Sequence, residues 1–98
     1  MGVEYRISCP PEKLPKLEEF LRHAGGKPSE QYPEQLEFRF RPCGPDEMPD
    51  ATAMLEPAGV YFCDHCGAQE PVDVLFRRLI DEALACSDSS DSVTITAL

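Results

Sequence analysis

The sequence predicts an α+β fold in which two helices pack on one face of a four- or five-stranded sheet. Two stretches repeat apolar residues at helical spacing, and four shorter stretches alternate apolar with polar residues. Each helical stripe is apolar on one side only, which suits helices that share one sheet face. The expected order is β-α-β-β-β-α-β over a single globular domain, residues 1–98.

The first helix and the strand before it follow directly from spacing. Val3, Tyr5 and Ile7 alternate with polar residues and predict a strand over 3–8. The helix that follows repeats apolar residues three and four apart, and Gly25-Gly26 ends it. Its proline must lie in the first turn, where a missing N–H costs least. The stripe consists of Leu14, Leu17, Phe20, Leu21 and Ala24, and the proline is Pro15.

The middle of the chain predicts a strand, an irregular loop and a hairpin. Leu36, Phe38 and Phe40 alternate with charged residues, and the proline-rich stretch 42–50 follows. A turn at 57–59 joins predicted arms at 51–56 and 60–63. If 51–56 is a loop instead, the order becomes β-α-β-β-α-β, a ferredoxin-like sandwich.

The last third predicts the longer helix and a closing strand. Apolar residues recur at helical spacing from Val72 to Leu84, and alternation over 93–97 predicts a strand. The residues expected in the core are Ile7, Leu17, Phe38, Phe40, Leu75, Phe76 and Leu79.

The charge of the chain is unevenly placed. The 98 residues carry a net charge of −9, and 42% of them are hydrophobic. Residues 1–41 hold seven bases and seven acids, whereas residues 42–98 hold two bases and eleven acids. An acidic surface repels phosphate backbones and anionic lipid, so we expect neither nucleic acid nor membrane as a partner. The N-terminus lacks the basic and apolar stretches of a secretory signal, and five cysteines is an odd number, so free thiols in the cytoplasm are expected.

The motif with the most specific chemistry is Cys63-Asp64-His65-Cys66. A CxxC pair supplies half of a tetrahedral zinc site, and no second pair supplies the other half. We therefore expect no metal or other cofactor. A small zinc-stabilised domain is the alternative, with Cys9, Cys43, Cys63 and Cys66 as ligands. With five strands these four thiols would lie at one end of the sheet, and with four strands the CxxC pair would lie opposite Cys9 and Cys43.

Thiol catalysis is the more distant alternative. A reactive thiol needs a lowered pKa, and the acids within and after the motif, Asp64, Glu70 and Asp73, raise it instead. No serine elbow, metalloprotease helix or phosphate-binding glycine loop occurs, so no catalytic residue is predicted and the chain is not expected to be an enzyme.

These observations favour a small acidic intracellular protein-binding module, such as an inhibitor or immunity protein that binds a basic partner. Acids that serve only to keep a domain soluble are the plainer interpretation. The contact residues are expected among acids in loops and turns, namely Asp46, Glu47, Asp50, Glu56, Asp64 and Glu70.

Overall fold

The α+β fold is confirmed by a computed structural model, which describes residues 2–40, 48–66, 68–85 and 93–98. Within these residues the chain forms six strands, two α-helices and one 3-10 turn. In chain order they are β1 (Val3–Ser8), the 3-10 turn (Pro11–Lys13), α1 (Leu14–His23), β2 (Lys27–Pro28), β3 (Gln35–Phe38), β4 (Ala51–Glu56), β5 (Gly59–Asp64), α2 (Gln69–Ala85) and β6 (Thr94–Ala97).

All six strands belong to one antiparallel sheet, in the order β2-β3-β4-β5-β1-β6. The hairpin is confirmed, with β4 and β5 paired from Ala51 opposite Asp64 to Glu56 opposite Gly59. Gly59 is required where β5 passes β1, because a Cβ at this position would lie 1.8 Å from the carbonyl oxygen of Ile7. The prediction of four or five strands is wrong in number, since six are present among the described residues.

The unpredicted strand is β2, and it changes the direction of every strand after it. β2 has two residues, which pair with Glu37 and Leu36 of β3. A strand this short shows no alternation, so periodicity does not reveal it. Its presence adds one reversal of the chain between α1 and β3, and β5 consequently runs antiparallel to β1.

The two helices cover the same face of the sheet. α1 has its proline in the first turn as predicted, and Gly25 follows it with a φ of 109°, a conformation that glycine adopts readily. Buried residues of α1 and α2 join strand residues in one hydrophobic cluster. Phe76 of α2 packs on β1 and β5, with its ring centroid 4.5 Å from that of Tyr5 and 5.1 Å from that of Phe62.

Most of the predicted core residues are buried, and Phe40 is the exception. Phe76 is partly buried, while Ile7, Leu17, Phe38, Leu75 and Leu79 are at most 4% exposed. Phe40 is 37% exposed because β3 ends at Phe38, which pairs with Ala51, the first residue of β4. The paired ladder of β3 and β4 therefore stops short of Phe40, although its ring stacks on Phe38 at 6.3 Å. Neither helix of the described residues combines the length and the apolar character needed to cross a membrane.

The difference between the two phenylalanines gives a matched test of this packing. Phe38→Ala empties a fully buried aromatic site and should lower the free energy of unfolding by about 3–5 kcal/mol. Phe40→Ala loses one exposed ring contact and should cost less than about 1.5 kcal/mol. Urea unfolding of both variants measures the difference, and equal losses would place both rings in the same environment, contrary to this register.

Candidate functional site

The candidate site lies on the open face, the face of the sheet turned away from α1 and α2. Glu4, Cys63, Thr52 and Glu37 occupy paired positions on β1, β5, β4 and β3, so they form one row across four strands. Side chains at such paired positions are neighbours about 5 Å apart. A groove of about 610 Å³ opens over this row. It is lined by Glu4, Gln35, Glu37, Arg39, Met48, Pro49, Thr52, Tyr61, Cys63 and His65.

His65 lies two residues after Cys63 and therefore on the same face, because its pairing with Asp50 extends the β4–β5 register by one position. Its main-chain N–H donates to the carbonyl oxygen of Asp50 at 3.0 Å, which fixes the loop against the start of β4. The ring then lies between two side chains of the row. Nε2 is 3.2 Å from Thr52 Oγ1, and Nδ1 is 3.9 Å from Cys63 Sγ. The structure therefore places a thiol and an imidazole side by side in the groove.

The electrostatic environment keeps this thiol and imidazole neutral. Burial raises the pKa of the Cys63 thiol, and the nearby carboxylates of Glu4 and Asp64 raise it further. Burial lowers the pKa of His65, with Asp64 acting weakly in the opposite direction. A nucleophilic cysteine needs a thiolate stabilised by a nearby cation. Both pKa shifts therefore favour the uncharged forms of the pair.

Glu4 and Tyr61 add a second polar contact to the groove. The phenol of Tyr61 donates a hydrogen bond to a carboxylate oxygen of Glu4. This bond stabilises the protonated phenol and raises the pKa of Tyr61 to about 12. At the other end of the row, Arg39 Nη1 donates to Glu37 Oε1 at 2.8 Å. The groove therefore presents two carboxylates, one bound to a phenol and one to a guanidinium.

The CxxC loop is shaped by its aspartate. Asp64 Oδ1 accepts a hydrogen bond from the main-chain N–H of Cys66 at 2.7 Å, and this tight turn accompanies a positive φ of 64° at Cys66. Asp64 is only 8% exposed, whereas Cys66 is exposed. The two thiols of the motif consequently differ, one lying in the groove and the other at the surface.

The thiols predicted as zinc ligands are not all at one end. The N–H of Cys9 donates to the carbonyl oxygen of Ala58, just before the first residue of β5. Cys63 lies near the last residue of β5, where it pairs with Glu4. Five residues of strand separate Cys9 from Glu4, a span of about 16 Å. The expectation that a five-stranded sheet places these four thiols at one end is therefore wrong for Cys9 and Cys63, because the additional strand β2 reverses the direction of β5. Cys43 lies outside the described residues. In the part of the chain that the structure describes, no three His, Cys, Asp or Glu side chains are grouped as metal ligands.

The structure separates the acids that were predicted as partner contacts. Asp50 is completely buried, and its Oδ2 accepts the main-chain N–H of Phe40 at 2.7 Å. Asp64 is buried in the CxxC turn. Glu56 pairs with Arg6 at 2.9 Å beside the β4–β5 turn, at the end of the sheet opposite the CxxC loop. Glu70 is exposed in the first turn of α2. Asp46 and Glu47 lie outside the described residues.

Sequence reasoning missed most of the groove. Its floor comes from polar positions of the alternating strands, which a search for loop acids passes over. Glu4 and Glu37 belong to the alternating patterns that predicted β1 and β3. That alternation also places both side chains on the face away from the helices, which was the available signal for the groove. Alternation from Cys63 was the available signal for the face on which His65 lies, whereas its contact with Thr52 depends on the register between β4 and β5.

The chain was compared with known protein families, curated proteins and solved structures, and none of them gives a significant match.

The contrast between the two thiols predicts a difference in reactivity. At about pH 7.5, iodoacetamide should modify Cys66 at least about tenfold faster than Cys63, because only the thiolate reacts and Cys63 is both buried and held as a thiol. Time-resolved mass spectrometry with fragment sequencing locates the label. Cys63→Ser and Cys66→Ser serve as matched controls for the assignment, and equal rates at the two positions would contradict the described environment.

The lowered pKa of His65 predicts a pH-dependent stability. Its folded-state pKa lies below the ordinary value of 6.5, so the unfolded chain binds the proton first as the pH falls. The contribution of neutral His65 is fully present above pH 6.5 and is lost as the pH falls through the folded-state pKa. Between about pH 7.5 and 5, the wild type should lose more free energy of unfolding than His65→Gln does.

The exposed histidine provides the control. The side chain of His23 is 79% exposed at the end of α1. Replacing His23 by glutamine should leave the dependence of the free energy of unfolding on pH as steep as in the wild type. If His65→Gln shows the same slope as the wild type, the ring does not titrate from a buried environment.

Proposed function

We propose that this chain is a non-catalytic protein-binding module that binds a basic partner, in the manner of an inhibitor or immunity protein. The observation that carries the proposal is the polar groove on the open face, which neither helix covers and which carries the exposed carboxylate of Glu4. A partner is the natural cover for a concave polar surface of this kind, since protein interfaces combine a polar rim with hydrogen-bonding groups.

Exposed acids converge on one end of the sheet, which we call the CxxC end. This is the end where β1 begins, β5 finishes and α2 begins. Glu4 lies there on the open face, and Glu70 and Asp73 lie in the first turns of α2. All three are exposed. Their combined field would steer a basic surface towards this end and favour its orientation over the groove.

The groove itself suits a lysine or arginine side chain. Glu4 offers a carboxylate oxygen at one end of the row. Glu37, at the other end, already accepts a hydrogen bond from Arg39 and pairs with Lys27 of β2. A guanidinium placed beside Glu4 would form charge-assisted hydrogen bonds, which are stronger than neutral ones. The neutral thiol and imidazole supply packing and no nucleophile, which supports a binding role over a catalytic one.

The inhibitor type of module is the more specific part of this proposal. An inhibitor needs a surface that excludes water around a few charged contacts, so that its complex with the partner dissociates slowly. Asp50 and Asp64 do not belong to the proposed contacts, because both are buried and substitutions at these positions would disturb the fold instead. The proposed contacts among the described residues are thus the exposed acids of the CxxC end and the groove.

The test begins with the recovery and identification of a partner from native lysate, followed by kinetics with the purified pair. A triple variant, Glu4→Gln, Glu70→Gln and Asp73→Asn, removes three charges at the CxxC end and retains side-chain oxygens. Its association rate at low salt should fall about tenfold or more, and the difference should shrink as salt screens the wild-type field.

A matched control removes the same charge elsewhere. Glu12, Glu34 and Asp81 are exposed and lie towards the other end of the sheet or helix. The control variant Glu12→Gln, Glu34→Gln and Asp81→Asn should change the association rate much less. Both triple variants should keep the wild-type melting curve. If the two variants bind alike at every salt concentration, the acids of the CxxC end do not steer the partner.

A further inference from the structure

The two edges of the sheet differ in how they are protected. β2 forms one edge, and its two residues include a charge, Lys27, and a proline, Pro28, both of which discourage strand addition. β6 forms the other edge, with all four of its residues exposed. No charged side chain and no proline occurs from Val93 to Leu98. In a chain of net charge −9, a strand without charged side chains repels a second copy less than an acidic surface does.

The hydrogen bonds of β6 show which main-chain groups face outwards. Leu98 donates its N–H to Glu4 of β1 at 2.9 Å, and in an antiparallel ladder every second residue shares that direction. Thr94 and Thr96 therefore bond towards β1. The N–H and C=O groups of Val93, Ile95 and Ala97 point to the open edge.

The sequence of this edge is symmetrical about Ile95. Read outwards from Ile95, both directions meet a threonine and then a small apolar residue. In a twofold pairing of two copies centred on Ile95, each isoleucine would face its counterpart and each valine would face an alanine. The threonines would face each other on the open face. All three edge-facing residues of each copy would then be paired, with about six main-chain hydrogen bonds in total.

Apolar side chains next to β6 provide a surface for such a pairing. Ile95 points to the helix side of the sheet, since it pairs with the buried Ile7, yet it is 44% exposed. Phe76 places α2 over β1 and β5, and Arg78 lies over Phe20 of α1, so the flank of α2 that carries Leu84 is the one away from α1 and nearer β6. Leu84 is 40% exposed. A second copy would cover both residues from water.

We propose that the chain forms a twofold dimer through antiparallel pairing of β6 with β6 of a second copy, centred on Ile95, which continues the sheet across both copies. Such an interface is isologous, with the same strand contributed by each copy. It also protects an edge that would otherwise be open to addition of any extended chain.

The test is a measurement of mass against concentration by sedimentation equilibrium. The wild type should approach twice the 10.9 kDa of one chain as concentration rises. Ile95→Lys places two like charges opposite each other at the twofold axis and should abolish this rise. Thr94→Lys adds the same charge to the open face of the same strand, opposite a threonine, and should leave the dimer in place.

Amide hydrogen exchange identifies the interface itself. In the wild type the amides of Val93, Ile95 and Ala97 should exchange at least about tenfold more slowly than in Ile95→Lys, whereas those of Thr94 and Thr96 bond to β1 in both proteins. Circular dichroism checks that the lysine variants remain folded. A wild type that stays monomeric at every concentration, or a dimer whose edge-facing amides exchange rapidly, would overturn the proposal.

Discussion

The buried aspartate at position 50 is the constraint on which the CxxC end of the sheet depends. Asp50 is completely buried, and a carboxylate in that position is costly unless hydrogen bonds satisfy it. Its side chain accepts the N–H of Phe40, its own N–H donates to Phe38, and its carbonyl accepts the N–H of His65. One residue thus connects the end of β3, the start of β4 and the loop after β5. This connection also holds the main chain of His65 beside the groove, where its ring contacts Thr52 and Cys63.

The opposite characters of the two sheet faces follow from strand alternation. The strand residues on the helix side are buried in one cluster. The polar residues that alternate with them along each strand therefore lie on the opposite face, in rows across the sheet. Antiparallel pairing then brings Glu4, Cys63, Thr52 and Glu37 together although they are distant in sequence. Burial of Cys63 next to the carboxylates of Glu4 and Asp64 raises its pKa, although an imidazole lies beside it.

Periodicity predicted the helices and most of the core, because each of these repeats over several residues, and the turn residues at 57–59 predicted the hairpin. It could not predict β2, since two residues hold no period, and that omission reversed the predicted direction of β5. The burial of Asp50 was hidden for a different reason. An aspartate between Pro49 and Ala51 resembles a loop residue, and only the tertiary hydrogen bonds show that it belongs to the interior. Of the groove, the face of each strand residue and of His65 follows from alternation, whereas the row that joins them depends on a register between strands that are distant in sequence.

The two proposed surfaces are compatible because they use different parts of the sheet. The acids of the CxxC end lie where β1 begins and α2 starts, and the groove lies over β1, β5, β4 and β3. The dimer would use the outer side of β6, whose main-chain groups no other strand of the described sheet engages. A twofold axis through Ile95 would repeat the polar groove on both copies and on the same face of the continuous sheet. A dimer would therefore present two equivalent acidic sites, and a partner with two basic surfaces would gain from multivalent binding without any new contact at either groove.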